Sequence, residues 1–554
     1  MKPHPFLFTA VTATALLFIP VLTDAAAEAP LKKEKLQIVL CLGQSNMVGL
    51  ADVKTAWYLT QPQYVPPREA SLTKSRFFDW NFYWSGVRYY EGPRKAELEA
   101  LVDAREKSRM KWRQRVNGVN GIQWDEAAWG PKPKPGGGRA TMYAFLDEKA
   151  EQEGIYKRIA EILDSPENKF TVNDAYNELA NREKEITSEV QRVRGIYLNG
   201  TKPADFDAFD AAVAAAVKDK SLVLTVPKGA AFTDAEKHRA AYVEMAGKHL
   251  NLPVAQRTRI FGYGAIAGSE GEGIKSTTYG PLSVGYGGAP NRIGPEYGLG
   301  ITLERLVDAP ILLVKCSWGN TSLSGAWRPW SLDGVETPIE KATREASNKE
   351  QAELAKKEGR EFTPRPAPAA TGGPGWSWGL AMPQIEQVLA DPGKYYPGYD
   401  PKVGYEIAGL VWFQGYSDQG NPAYGELLAQ MIRDLREKMK TPKMPVVCGT
   451  LGMTGFKNSA FANDVNAGML AVSKMPEFAG TVGVVNTSPF YPQEFDLLGQ
   501  VMDTFPKDSP EYLEALRMRE RAISEKGFHY HGSAKFFLLN GDALARCLAD
   551  LMAK

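Results

Sequence analysis

Histidine is scarce in this chain. Only five occur in 554 residues, His4, His238, His249, His529 and His531. A mechanism that needs an imidazole has few places to find one. Cysteine is scarcer: Cys41, Cys316, Cys448 and Cys547, with no Cys-x-x-Cys pair. So few thiols make neither a disulfide framework nor a thiolate metal centre. Three of them lie in or beside apolar, strand-like runs, where free buried thiols are expected, and a disulfide would require two of those strands to be neighbours. Charge of one sign is also missing. Lys and Arg total 66 against 65 Asp and Glu, a formal net charge of +1. That excludes a nucleic-acid or membrane-surface partner recruited by bulk charge. No P-loop and no Gly-x-Gly-x-x-Gly after a strand occurs, and the histidines are too few for a convincing metal cluster. No cofactor and no metal is expected.

Long apolar runs are absent except at the start. Lys2 is followed by the apolar run Phe6 to Leu22 and then by "DAAAEAP". This reads as a secretory signal over residues 1–27, cleaved near Ala25 or Ala27. Thr9, Thr12, Thr14 and Pro20 interrupt the run, which is short for a membrane span. The expectation is a secreted or periplasmic protein without stable membrane insertion.

What is present is a series of buried-strand patterns. "LQIVLCLG" from Leu36, "APILLVKCSWG" from Ala309, "YEIAGLVWFQG" from Tyr405, "MPVVCGTLGM" from Met444 and "GTVGVVNT" from Gly480 are nearly continuous in Val, Ile and Leu. Continuity rather than alternation marks strands covered on both faces, as in a parallel sheet. Helical patterns separate them: "YGLGITLERLV", "PAYGELLAQMIRDLREKM" and the closing "AKFFLLNGDALARCLADLMA", with Gly541 inside it. The alternation predicts an α/β fold, a doubly wound three-layer α/β/α parallel sheet of flavodoxin-like type. Its ligand should bind beyond the carboxyl ends of the strands. Residues 31–60 and 257–554 form the core. Residues 61–256 read as a large, partly helical insertion. It includes helix patterns over 172–198 and 233–250, the latter with Thr233 as N-cap, and a Pro/Gly loop over 124–140. Residues 335–375 read as a charged, Pro-rich surface insertion.

The strand ends carry the chemistry. The first runs into "GQSN", and Ser45 there is either a helix cap or a nucleophile. The second ends at Gly319, where backbone can approach a ligand and offer an N–H to an oxyanion. The third ends at Gln414, whose amide is a further candidate donor, with Asp418 four residues on. Trp318, Trp327, Arg328 and Trp330 would suit a sugar surface or plain packing. A serine mechanism needs a histidine base near neutral pH. His4 lies in the signal, and His238 and His249 lie on charged helices. "EKGFHYHGSAK" remains, with His529 and His531, and Glu525 four residues before the first.

Together these blocks resemble the SGNH hydrolase superfamily, in its sialate O-acetylesterase-like carbohydrate-esterase branch. "GQSNMVG", "KCSWGNTSL", "WFQGYSD" and "FHYHGSAK" stand in that branch's order. The resemblance implies a carboxylic ester hydrolase acting on an acetylated carbohydrate. Ser45 would be the nucleophile and His529 the base, with oxyanion donors at Ser45, Gly319 and Gln414. Asn46, Asn320, Trp327 and Arg328 are the expected substrate contacts from their place after the strands. Three positions depart from the pattern. Tyr416 stands where many relatives have Glu, Asn320 where they have a second Gly, and Lys526 where an Asp precedes the histidine by three. The acidic member is therefore Glu525, Asp418 or absent, with a backbone carbonyl in its place. A non-catalytic carbohydrate-binding protein on the same fold is the competing expectation.

Overall fold

The structure is a computed structural model that describes residues 29–67, 92–116, 154–163, 186–198, 200, 203–224, 235–264, 276–453 and 460–554. A seven-stranded sheet forms its centre. In chain order the strands are β1 (Leu36–Gly43), β2 (Thr258–Gly264), β3 (Ser276–Pro281), β4 (Ile311–Ser317), β5 (Tyr405–Phe413), β6 (Val446–Gly449) and β7 (Val482–Val485). In space the order is β7-β6-β5-β1-β4-β2-β3. Every pair is parallel except β2 with β3, which closes one edge antiparallel. Every residue of β1 and of β4 is buried, as their unbroken apolar runs require.

Helices cover both faces. Gly409 on β5 lies against the C-terminal helix α7 (Ala534–Met552), where a Cβ would come within 2.7 Å of Leu548. Trp412 has the opposite parity and donates its indole N–H to Tyr424 on α5 (Tyr424–Lys438). The remaining helices used below are α1 (Ser45–Val48), α2 (Pro295–Leu306), α3 (Pro338–Lys357), α4 (Trp376–Ala390) and α6 (Ala460–Ser473). Gly541 in the middle of α7 has a packing reason. A Cβ there would sit 2.4 Å from the Pro295 carbonyl and 2.7 Å from Gly298 Cα, so the glycine lets α2 and α7 cross closely. Helix α3 starts with a capping box between Thr337 and Glu340.

The region between β1 and β2 is partly helical. Residues 186–197, Phe206–Lys218 and Ala235–Leu250 send Val193, Tyr197, Phe209 and Tyr242 into the main core. Lys95–Val116 and Ile155–Leu163 instead share a small apolar cluster of their own. The expected signal, Thr233 and the loop over 124–140 lie outside the described residues. All four cysteines are free. Cys41 is in register with Lys315 and Cys316 with Leu42, so these two thiols alternate to opposite faces of neighbouring strands.

Chain order reverses at β1. From β1 the chain passes through β2 and β3 to β4 on one side, and later goes to β5 on the other. This is the switch point at which an open α/β sheet forms its crevice. The three polar blocks singled out in the sequence leave three adjacent strands there.

Candidate active site

Strand β1 ends at Gly43, where a side chain has no room: a Cβ would lie 2.2 Å from the Phe413 carbonyl of β5. The chain then turns into α1. The Gln44 carbonyl accepts the N–H groups of Met47 and Val48. Buried below, Lys315 supports this turn. Its ammonium donates to the Val48 and Tyr286 carbonyls, both at 2.8 Å, and pairs with Glu296 at 2.9 Å. All three donor hydrogens are used, which lets the charge be buried. Ser45 at the top is half-buried. Among the described residues its hydroxyl makes no hydrogen bond, to His529 or to any other group. Catalytic contacts are often loose before substrate arrives.

The histidine loop is stitched to this turn from 472 to 482 residues away. Asn46 donates to the Phe528 carbonyl (3.3 Å), and Asp52 N–H to Ser524 Oγ (3.0 Å). Ala534 N–H donates to Thr55 Oγ1 (2.8 Å). His529, mostly buried, turns Nδ1 inward to stand 3.6 Å from Glu525 Oε2. That atom is buried without a hydrogen bond, whereas Nε2 is the accessible nitrogen. Glu525 also accepts from Arg292 (3.1 Å), which holds the Leu50 carbonyl at 2.9 Å. His529 is the largest influence on this carboxyl. With Arg292 it outweighs partial burial and holds Glu525 down at about 2. A carboxylate on the Nδ1 side favours the Nδ1–H tautomer and leaves a lone pair on Nε2, the state a general base needs.

The loop after His529 is strained. Tyr530 and His531 have φ of +53° and +57°, the left-handed region that costs a non-glycine residue about 1–2 kcal/mol. Tyr530 is fully buried, stacks on Phe536 at 3.5 Å and accepts the Gly452 N–H.

Gly319 has an ordinary backbone conformation, and a Cβ on it would meet nothing within 4 Å. Neither turn geometry nor packing demands glycine there. Asn320 beside it is exposed, with φ +58°. Trp318 carries the site outward to Trp376, whose ring centroid lies 6.0 Å away and which is 45% exposed.

The comparisons with known proteins bear on this arrangement. Residues 395–487 match the family model of carbohydrate esterases described as sialic acid-specific acetylesterases. The resemblance read from the motifs is therefore matched over this segment, which runs from before β5 to just past β7 and includes Gln414 and Asp418. Ser45, Gly319, Glu525 and His529 lie outside it. No curated protein matches the chain. Among solved structures, a protein of Arabidopsis thaliana is similar at 14% identity, over 52% of this chain and 79% of its own, with TM-score 0.27. A carbohydrate acetylesterase from Xanthomonas citri is similar at 14% identity over 52% of each chain, with TM-score 0.26. The third is NanS, at 13% identity over 41% of this chain and 68% of its own, with TM-score 0.25. Likenesses this distant carry no argument.

Within the matched segment two expected roles give way to structural ones. The Gln414 amide is fully buried. Its Nε2 donates to Asp418 Oδ2 (2.7 Å) and the Thr321 carbonyl (2.9 Å). Both hydrogens are thus used between the strand-end loops, and none points to an oxyanion. Asp418 accepts from Leu323 N–H, Ser324 N–H and Gln414, so it anchors the Gly319 loop rather than an imidazole. Three expected substrate contacts also change. Trp327 is fully buried among Trp318, Trp378 and Trp412. Arg328 has its donors taken by Glu340 and by the Ser324, Leu332 and Val335 carbonyls. Asn46 is buried and serves the Phe528 carbonyl. Arg292 and Trp376 went unread in the sequence. Arg292 gives no local signal, while Trp376, after "GGPG" at a helix start, could have been marked as an exposed aromatic.

Proposed function

We propose that this protein is an exported serine esterase that removes O-acetyl groups from carbohydrate. The observation that carries the reading is the stitching of the Ser45 turn to the His529 loop, above all the Asn46–Phe528 hydrogen bond. The family match supports the esterase class and the carbohydrate substrate. For export, the leader pattern in the sequence is the support. No helix among the described residues is long and apolar enough to cross a membrane.

In this reading Ser45 Oγ attacks the acetyl carbonyl while His529 Nε2 takes its proton. Glu525 holds the ring and stabilises the imidazolium. The N–H groups of Ser45 and Gly319 receive the oxyanion, each such donor being worth about 3 kcal/mol of barrier. The imidazolium returns its proton to the departing sugar oxygen, and water then clears the acetyl-serine by the same route. Trp376 offers a flat face to the sugar ring at the rim. Acetate release from an acetylated oligosaccharide tests the proposal: Ser45→Ala should abolish it, and wild-type rates in that variant would end it. The unmade Ser45–His529 hydrogen bond favours one rival, a sugar-binding protein without turnover, which predicts binding with no acetate released by wild type.

A further inference from the structure

The loop that carries His529 is held in its left-handed turn from outside, by groups with no part in the chemistry above. His531 is buried, and its Nε2 lies 2.8 Å from Asp496 Oδ1 and 3.1 Å from the Tyr491 hydroxyl. Tyr491 donates to the same Asp496 oxygen at 2.8 Å. A carboxylate accepts only, so the proton of the His531 ring is assigned to Nε2. That nitrogen is thereby committed to the Asp496 carboxylate.

Its backbone has another task. The His531 carbonyl accepts both Ser524 N–H (2.9 Å) and Glu525 N–H (3.1 Å), and its own N–H donates to the Lys526 carbonyl (3.1 Å). The main chain of Glu525 therefore hangs on a residue whose left-handed conformation is unfavourable without a partner. Asp496 and Tyr491 supply that partner from the segment after β7. Nearby, Ser524 Oγ and the Gly532 carbonyl close the same loop at 2.8 Å.

We infer that His531, latched by Asp496 and Tyr491, is a positioning residue that seats Glu525 against the His529 ring. The inference rests on the esterase reading and assigns a role to the second histidine of "FHYHG". The latch acts on the reacting atoms only through Glu525 and His529, and this makes it separable from a merely structural contact.

The test is a double-mutant cycle on 4-nitrophenyl acetate hydrolysis by the full chain. His531→Ala should lower kcat about 30-fold with KM within about twofold, a misplaced catalytic group rather than a lost binding contact. His531→Gln, whose amide can still reach Asp496, should recover most of the rate. In a Glu525→Gln background, His531→Ala should cost less than about threefold more. The same factor in both backgrounds, or a wild-type kcat in folded His531→Ala, would overturn the inference. Should His531→Ala not fold, Tyr491→Phe takes its place in the cycle. A fall of about fivefold that vanishes with Glu525→Gln supports the latch, and an additive or null effect overturns it. If wild type hydrolyses no acetate ester, the esterase reading is what fails. The latch is then judged by thermal unfolding of the same cycle: non-additive midpoints support it and additive midpoints refute it.

Discussion

Glu525→Gln is the most informative single change. It keeps the shape of the side chain and removes the charge facing His529. At 3.6 Å, two unit charges in an effective dielectric of about 20 attract by about 5 kcal/mol. The Glu525 side chain is 27% exposed and shares its charge with Arg292, so screening reduces this to about 2 kcal/mol. The imidazolium exists only while the hydroxyl proton is in flight, so the loss falls on the transition state and not on substrate binding. The variant should therefore lose about 30-fold in kcat for 4-nitrophenyl acetate, with KM nearly unchanged. A variant within twofold of wild type would refute the assignment of Glu525. Asp496→Asn should act through the latch and cost no more than His531→Ala; abolished turnover in Asp496→Asn beside an unaffected Glu525→Gln would instead make His531 the base and Asp496 its partner.

The same carboxyl predicts a pH dependence of stability. It is held at about 2 in the folded protein, below the ordinary value of about 4.3. Its contribution is complete above about pH 4.5 and is lost as pH falls toward 2, so wild type should lose about 1–3 kcal/mol relative to Glu525→Gln over that interval in denaturant titrations. Gly319→Ala should leave the thermal midpoint unchanged, because the added methyl meets open space, yet cut kcat/KM about tenfold by crowding the ester. A midpoint shift with unchanged kcat/KM would show that the glycine serves the fold. Gln414→Ala should cost about 1–3 kcal/mol in urea titrations, since it removes one of the three donors to Asp418 and the side-chain donor to the Thr321 carbonyl in a buried site; an unchanged denaturation midpoint would contradict that network. Trp376→Ala should reduce kcat/KM about tenfold on an acetylated oligosaccharide and leave 4-nitrophenyl acetate hydrolysis untouched, and equal effects on both would remove the platform.

Much of the architecture was legible because the apolar runs of β1, β4, β5, β6 and β7 are continuous, and continuity means burial on both faces. Strands β2 and β3 escaped notice for the opposite reason. "TRIFGYG" and "STTYGP" hold glycine, threonine and few aliphatics; β2 is held by its pairing with the apolar β4, and β3 by its pairing with β2. Local spacing brought Glu525 and His529 into view together, since the pair is four residues apart. Arg292 and Asp496 could not be read in that way, because each acquires meaning only from a partner more than thirty residues distant. Trp327 and Arg328 show the converse limit. An aromatic and a fork donor after a strand look the same whether they face a sugar or a neighbouring helix, and burial alone tells them apart. Gln414 and Asp418 satisfy each other, and a sequence records two polar residues without recording that they are spent.

The central claim is that Ser45 is an activated nucleophile. Incubation of the full chain with a fluorophosphonate, followed by mass spectrometry of its peptides, tests this directly. One adduct is expected, on Ser45, and it should be missing from His529→Ala, whose serine has no base. Absence of any adduct from folded wild type, or an adduct on another serine, would contradict the account.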